Sequence, residues 1–367
     1  MHLSFLLAAV VVIQADVQTT LTRDTVTLLD QWELPGSAAP LVAAASNGEG
    51  CSVDVFSGAV SLLRPRGRVV THRLATSRSA EWLGVGVVDE RCWIWNRDRD
   101  YVAVLDSEAT RVLTVIPIPA RPVPTRYFRP LLVTLDSQVV AEEAADSRGI
   151  AELRAEGKRV LLHRRTDEQL LNLIDYSNGA LYLMVDDESG VVMQQPWSNT
   201  PRVIGSSDGN SIVIVYQNES AEVNAIEVVI RDFNLRTGVW RSDSLLLSTQ
   251  PLTDGAVDSV VNERSAFLQR EIGTDGPERF RKQVFRPALV PPVARVVAAS
   301  ANEVWLELND KRWSGCWLRH RSGMTSRNAV CFAAAETVVA ASAGEVWTIR
   351  QQKAGTAVNR YQVRQVQ

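Results

Sequence analysis

VVAASANEVW, residues 296–305, returns as VVAASAGEVW at residues 338–347, with one difference in ten at a spacing of 42. An echo, LVAAASNGEG, begins at Leu41. Near-identity at a fixed step marks a repeated structural unit, and the composition of the repeat says which kind. Small and β-branched residues run for several positions, stop at a turn carrying Asn or Gly, and resume with Val-Trp, as two short strands of a hairpin do. A second element, Arg-Val followed by apolar residues, starts at Arg68, Arg111, Arg159 and Arg202, at steps of 43, 48 and 43. Two of its copies read RVVTHR (68–73) and RVLLHR (159–164).

A period in the low forties, with Gly, Asn, Asp and Ser between short runs of Val, Ile, Leu and Trp, is what four-stranded propeller blades require. The expected fold is therefore all-β, a β-propeller of six blades with seven as the alternative. The first blade reads PLVAAAS, CSVDVF, AVSLLR and RVVTHRL, and the second WLGVGVV, CWIWN, YVAVLD and RVLTVIPI. A third covers about 130–164, another 211–247, and two more fall near 295–332 and 336–364. The stretch 169–205 offers ALYLMVD and GVVMQQ without a clear fourth strand, which leaves the blade count open. The last segment has three strands, and TVTLLDQWEL (25–34) precedes the first complete blade, so an N-terminal strand is expected to close the ring and remove two exposed sheet edges. One helix is expected near 257–269, where Val257, Val260, Val261, Phe267 and Leu268 recur at helical spacing. It lies in an inserted segment at about 251–292, read as a lid over one ring face or, alternatively, as a cover for a pocket or partner.

The chain of 367 residues is 46% hydrophobic and 22% charged, which supports a large core and excludes wholesale disorder and a polytopic membrane protein. Its 39 basic and 42 acidic residues nearly cancel, so no nucleic-acid partner is indicated. Residues 3–13, LSFLLAAVVVI, form an uncharged run too short to span a bilayer, followed by Ala15-Asp16 as a cleavage point. Residues 1–15 are read as a signal peptide and 16–367 as one propeller domain, secreted or periplasmic, with no membrane span after cleavage. An n-region without Lys or Arg leaves a buried first strand as the alternative.

In an oxidising compartment the four cysteines become candidates for disulfides. Cys316 and Cys331 flank Gly323-Met324, a pair suited to a two-residue hairpin turn that would set the two cysteines directly opposite, so they are expected to bond. Cys51 and Cys92 each begin the second strand of successive repeats. That spacing implies similar places in neighbouring units rather than contact, and a second bond is not assigned.

The scan for chemistry yields little. Gly205-Ser-Ser-Asp-Gly209 fits the G-x-S-x-G pattern of a nucleophile elbow, but a strand, SIVIVY, follows where a helix is needed, so a tight turn is the better reading. His72 and His163 are read at the same place in the outermost strand of two repeats, and His320 in the disulfide hairpin. Asn96–Asp100 interleaves two Arg with its acids, and Asp186-Asp187-Glu188 reads as a solvated turn, so no metal ligands, catalytic residues or cofactor are assigned. Trp82, Trp93, Trp95, Trp305, Trp313, Trp317 and Trp347 lie in blade strands and are expected to fill the gaps between sheets. The strongest binding candidates are Arg121, Arg126, Tyr127 and Arg129 in ARPVPTRYFRP (120–130), which joins two blades and could face the channel mouth.

The repeats, with GVWRSDSLLLSTQPLTDGAVDSVV (238–261), RPALVPP (286–292) and EVWLEL (303–308), resemble the six-bladed propellers of the NHL/TolB-like group exported by bacteria. The resemblance covers nearly all of the chain after residue 15. In place of the group's Asp-Gly before the second strand, this chain has NGEG, VDER, SANE and SAGE. Members of the group bind proteins, sugars or peptides, or hydrolyse lactones. The resemblance implies an exported, non-catalytic propeller that presents one ring face to a protein or small ligand, with a channel-metal hydrolase of the gluconolactonase/paraoxonase type as the alternative. No residue motif carries over from either.

Overall fold

The computed structural model describes residues 22–37, 40–73, 84–145, 149, 153, 158–164, 167–174, 183–185, 192–220, 222, 224–300, 302–309, 315–323, 328–333, 335–342 and 344–364. The expected signal peptide, residues 1–15, lies outside them, as do Trp82, Trp313, Met324 and Asp186–Glu188.

Two strands, β1 (Thr22–Arg23) and β2 (Thr25–Pro35), come first. Blade one is β3 (Pro40–Ala44), β4 (Gly50–Asp54), β5 (Ala59–Arg64) and β6 (Arg68–Arg73). Blade two is β7 (Gly84–Val88), β8 (Arg91–Trp95), β9 (Tyr101–Leu105) and β10 (Val112–Pro117), and blade three is β11 (Arg126–Val133), β12 (Val139–Ala145), β13 (Lys158–His163) and β14 (Glu168–Ile174). A separate two-stranded hairpin, β15 (Leu183–Val185) and β16 (Val192–Gln194), follows. Blade four is β17 (Arg202–Gly205), β18 (Ser211–Glu219), β19 (Ala225–Asn234) and β20 (Val239–Ser248). After helices α1 (Asp254–Ile272) and α2 (Gly276–Gln283) come blade five, β21 (Val293–Ser300), β22 (Glu303–Leu308), β23 (Cys316–Arg321) and β24 (Asn328–Cys331), and blade six, β25 (Glu336–Ser342), β26 (Glu345–Gln352) and β27 (Gly355–Arg364).

Each blade is an antiparallel meander in chain order, and the first strands touch in a closed cycle: β3 to β7, β11, β17, β21, β25 and back to β3. Because β11 contacts β17 directly, the β15–β16 hairpin is not a blade of the ring, and the protein is a six-bladed β-propeller. The seventh-blade alternative is thereby removed.

The alternation of strand side chains between two faces explains why so little of a blade is polar: both faces are covered by neighbours. In blade two, Cys92 and Ile94 face blade one, where they meet Cys51, Val53, Val60 and Leu62. Trp93 and Trp95, at the intervening positions, face blade three and meet Val133, Val139 and Ala141. Comparable apolar clusters join blades three and four, four and five, five and six, and six and one. The expected role of the described blade tryptophans is met, since Trp93, Trp95, Trp305, Trp317 and Trp347 are all buried.

This parity also corrects the reading of Cys51 and Cys92. Both sit second in their strands, yet Cys51 faces forward and Cys92 faces back into the same cluster, so the two meet and form a disulfide with a Cα separation of 5.9 Å. The Cys316–Cys331 bond is present as expected, and the register pairs the two residues directly. Gly323, at φ +77°, occupies the left-handed region the turn requires.

Ring closure follows the expectation. β2 pairs antiparallel with β27 as the outer strand of blade six, and β1 adds in parallel to β24 at the edge of blade five. Trp32 of β2 lies fully buried, stacked on Trp347 with ring centroids 4.8 Å apart, and its indole N–H donates to the Arg64 carbonyl at 2.6 Å.

Three further readings are revised. The Arg-Val element is not a structural repeat: Arg68 opens β6, Arg111 immediately precedes β10, Arg159 lies in β13 and Arg202 opens β17, which are fourth, fourth, third and first strands of their blades. His163 accordingly belongs to a third strand and not to the outermost one. The inserted helix is longer than 257–269, and a second helix follows it, begun by Gly276-Pro277 at a position that tolerates the missing proline N–H. Thr253 caps α1 by accepting from the Ala256 N–H, and Val257, Val261 and Leu268 are buried, whereas Phe267 is exposed. The helices pack on Phe280, Val284, Val290 and Trp197, and among the described residues that cluster includes no side chain from a ring strand.

Candidate functional site

The inner strands enclose the ring axis, and the side chains they point inward differ along its length. Where the inner strands end, a cavity of about 190 Å³ is lined by small and aliphatic groups such as Ala44, Val87, Leu132, Ala298 and Ala340. Where the inner strands of blades three to six begin, a larger cavity of about 560 Å³ opens, lined by Tyr127, Arg129, Lys158, Arg202, Arg295 and Val338 among others. Ile204, Val296, Val297 and Val339 line both, so the two meet along the axis.

The charged wall of the larger cavity is built by blade three. β12 carries adjacent glutamates, Glu142 and Glu143, and strand alternation sends them to opposite faces of the sheet. On one face Glu142 lies opposite Arg129 of β11 and diagonal to Lys158 of β13, and it is ion-paired to both. On the other, Glu143 pairs with Arg126 at 2.8 Å and Arg159 at 3.1 Å. Each carboxylate thus serves one cation from the inner strand and one from the third strand. Burial works against ionisation of Glu142, but Lys158 and Arg129 overcome it and hold its carboxyl below the ordinary 4.5. Across the cavity, Arg295 of β21 forms a bidentate pair with Glu307 at 2.5 and 2.7 Å and lies over the Trp317 ring at 5.5 Å.

Of the residues singled out in the sequence, Tyr127 and Arg129 line this cavity. Tyr127 stacks on Trp95 with ring centroids 6.1 Å apart, and the Arg97 guanidinium lies 5.9 Å from its ring centroid. Arg126 is buried against Glu143 behind the wall. Arg121 is apart from the group: it is exposed and donates to the Arg97 carbonyl at 2.6 Å in the turn of blade two. Sequence reasoning missed Glu142, Glu143 and Lys158. A signal was available in VVAEEAA, because two adjacent acids inside an otherwise apolar strand must place one carboxylate on each covered face.

Gly205–Gly209 forms the turn from β17 to β18, as its flanking strand implied. Ser206 donates to Asp208 at 2.5 Å, and Gly209 sits at φ +68°. At Gly205 inner strands β17 and β11 approach closely, since a Cβ there would lie 2.6 Å from the Leu131 carbonyl oxygen. His72 lies in outer strand β6, and His320 contacts Asp243 at 3.0 Å, between blades five and four. Among the described residues no three of His, Cys, Asp and Glu are grouped so as to hold a metal ion.

No family model matches the chain, and no curated protein sequence matches it. Several solved structures do. Virginiamycin B lyase from Staphylococcus aureus is 8% identical over 93% of this chain and 99% of its own, with a TM-score of 0.44. The PQQ-bound aldose sugar dehydrogenase of Streptomyces coelicolor is 9% identical over 94% and 99%, with a TM-score of 0.43. The β-propeller domain of Nup133 from Vanderwaltozyma polyspora is 8% identical over 95% and 99%, with a TM-score of 0.42. At such values the likeness assigns neither reaction nor ligand to this chain.

Proposed function

We propose that this six-bladed propeller is an exported, non-catalytic binding module of the NHL/TolB-like kind, and that its ligand enters at the face where the inner strands of blades three to six begin. The observation that carries this reading is the 560 Å³ cavity, whose lining includes Tyr127, Arg129 and Arg295, with Arg129 ion-paired to Glu142 and Arg295 to Glu307. A concave site with a few convergent polar groups on an apolar floor is the usual form of a small-molecule site. Export is supported by the apolar run at residues 3–13 and by two disulfides, a pairing expected of an oxidising compartment.

The rival reading, a channel-metal hydrolase, makes an opposite prediction for one measurement. A ligand bound only by the folded state raises its melting temperature, so added calcium would stabilise the hydrolase. The binding module is expected to show no calcium-dependent shift, while native mass spectrometry of the purified protein detects a retained small molecule that Arg129→Met releases. A calcium-dependent rise of several degrees, or a retained molecule that Arg129→Met leaves in place, refutes the proposal.

A further inference from the structure

The outer strand of blade two differs from its counterparts in what it leaves uncovered. In β10, Val112, Leu113 and Val115 are 42%, 49% and 53% exposed, and only Ile116 is buried. Edge strands are ordinarily guarded by charged side chains, since their free N–H and C=O groups invite another strand. The other outer strands follow that rule: β2 carries Asp30 and Glu33, β6 carries Arg68 and Arg73, β14 carries Glu168, and β20 carries Arg241 and Asp243. The uncharged β24 is covered by β1. β10 reads VLTVIP, holds no charge, and among the described residues has β9 as its one strand partner.

The register says where these groups point. Val112, Val115 and Pro117 lie opposite Leu105, Ala103 and Tyr101, so they share the face of blade two that looks toward blade one, and a bulge at Leu113 offsets the strand. The Ile118 N–H donates to the Asp100 carbonyl at 2.8 Å, which by alternation turns the Val115 N–H away from β9 and toward the free edge. On the facing side, β6 of blade one presents Arg68, Val70 and His72, opposite Arg64, Leu62 and Val60. Nearer the axis the two blades close in the apolar cluster that holds the Cys51–Cys92 bond. At the rim the exposure of Val112 and Val115 leaves a groove open between β6 and β10.

One end of this groove is basic. Arg64 of blade one reaches the turn before β10, donating to the Ser107 carbonyl at 3.2 Å and pairing with Glu108 at 2.8 Å, while Arg111 pairs with Asp106 at 3.3 Å. Two cations remain. Arg68, on the groove face of β6, and Arg66, in the turn before it, are exposed and have no carboxylate within ion-pair distance among the described residues.

We propose that this groove docks an extended segment of a partner protein, which adds to β10 as a fifth strand, sets alternate apolar side chains against Val112, Val115 and Val70, and places an acidic residue on Arg68. In such strand addition the main chain supplies affinity, and the side chains on alternate positions supply choice. A second copy of this chain is the poorer occupant. Contact along six residues, about 20 Å of strand, falls short of the roughly 1,200 Å² that a stable interface buries, and the β10 of that copy carries no acid to set against Arg68. The groove lies on the rim of the ring and is separate from the cavity.

Fluorescein-labelled peptides test this by anisotropy. GDETVTVTVDEG carries the apolar alternation with acids at both ends, so that either strand direction brings one to Arg68; GKKTVTVTVKKG reverses the charge, and GDETSTSTSDEG removes the apolar side chains. The first is expected to bind at least tenfold more tightly than either of the others, and to slow amide exchange across residues 112–117, where the Val115 N–H becomes paired. Val115→Lys puts a charge on the edge and Arg68→Glu reverses the cation; both positions are exposed, so the melting temperature should hold while affinity falls roughly tenfold. Equal binding of the acidic and basic peptides, binding that survives Val115→Lys, or no binding by any of the three overturns the proposal. A dimer in light scattering that Val115→Lys dissolves also overturns it, by making a second copy the occupant. The cavity reading is tested through Arg129→Met and stands or falls apart from these results.

Discussion

Removing the disulfide that joins blades one and two is expected to cost more than removing the one inside blade five. The comparison pairs Cys51→Ala/Cys92→Ala with Cys316→Ala/Cys331→Ala. Cys51 and Cys92 are separated by 41 residues and Cys316 and Cys331 by 15. Chain entropy grows with the logarithm of the loop, giving about 4 kcal/mol for the longer closure and about 3 kcal/mol for the shorter. With an unfolding entropy of about 2.1 cal/mol/K per residue, 367 residues give about 0.8 kcal/mol/K, so the expected drops in melting temperature are about 5 °C and about 4 °C. The inter-blade bond carries a second contribution, because Cys51 and Cys92 are 3% and 0% exposed and alanine leaves their sulfurs' space to be refilled from both blades. Differential scanning calorimetry under oxidising conditions measures both variants against the parent. A Cys51→Ala/Cys92→Ala protein within 1 °C of the parent, or less affected than its counterpart, refutes the reasoning. Peptide mapping of the parent checks that the bonds compared are those described.

Glu142→Gln takes from Arg129 and Lys158 the carboxylate they share, and a loss of about 3 kcal/mol is expected, read by urea titration. The wild-type contribution is complete above the ordinary carboxyl value and is lost as pH falls through the lower folded value, so the variant should lose less stability than the parent below pH 4.5. Tyr361 is pushed up to about 12 by burial and by the Glu336 carboxylate it donates to, so its share of stability is intact below pH 10 and falls between 10 and 12. Tyr361→Phe should cost about 2 kcal/mol at neutral pH and flatten that alkaline decline; an unchanged decline assigns it to another group. Gly205→Ala should lower stability by about 2 kcal/mol by forcing β17 from β11, with far-UV circular dichroism preserved below the transition. Trp32→Ala should cost about 4 kcal/mol and render residues 25–35 the first site of limited proteolysis, because the stack on Trp347 is what fastens β2.

How far the sequence carried the reading depended on whether a signal was tied to one strand position. VVAASANEVW and VVAASAGEVW span the inner strand, turn and second strand of blades five and six, where close packing around the axis admits few alternatives, so their likeness reports structure. Arg-Val recurs because blade strands favour Val, and it drifts across first, third and fourth strands without registering. The Cys316–Cys331 bond follows from local turn geometry. The Cys51–Cys92 bond depends on which way each strand is rolled, and a shift of one residue reverses that while leaving the spacing almost unchanged. At the cavity, Tyr127 and Arg129 were legible as a loop leading into a blade, whereas Glu142, Glu143 and Lys158 became partners only once β11, β12 and β13 were in register.

The fastening of β2 to β27 has a consequence for the order of events in synthesis. Residues 25–35 are synthesised well before their partners, residues 355–364, which follow them by more than 300 positions in the chain. Until then the early strand has an unsatisfied edge and Trp32 has no aromatic to lie on, so blade six cannot be completed by any local event. Contacts this far apart in sequence slow folding and prolong exposure of unpaired edges. Ring formation should accordingly be the last and slowest phase, limited by a single long-range encounter, while the hairpins of blades one to five form ahead of it.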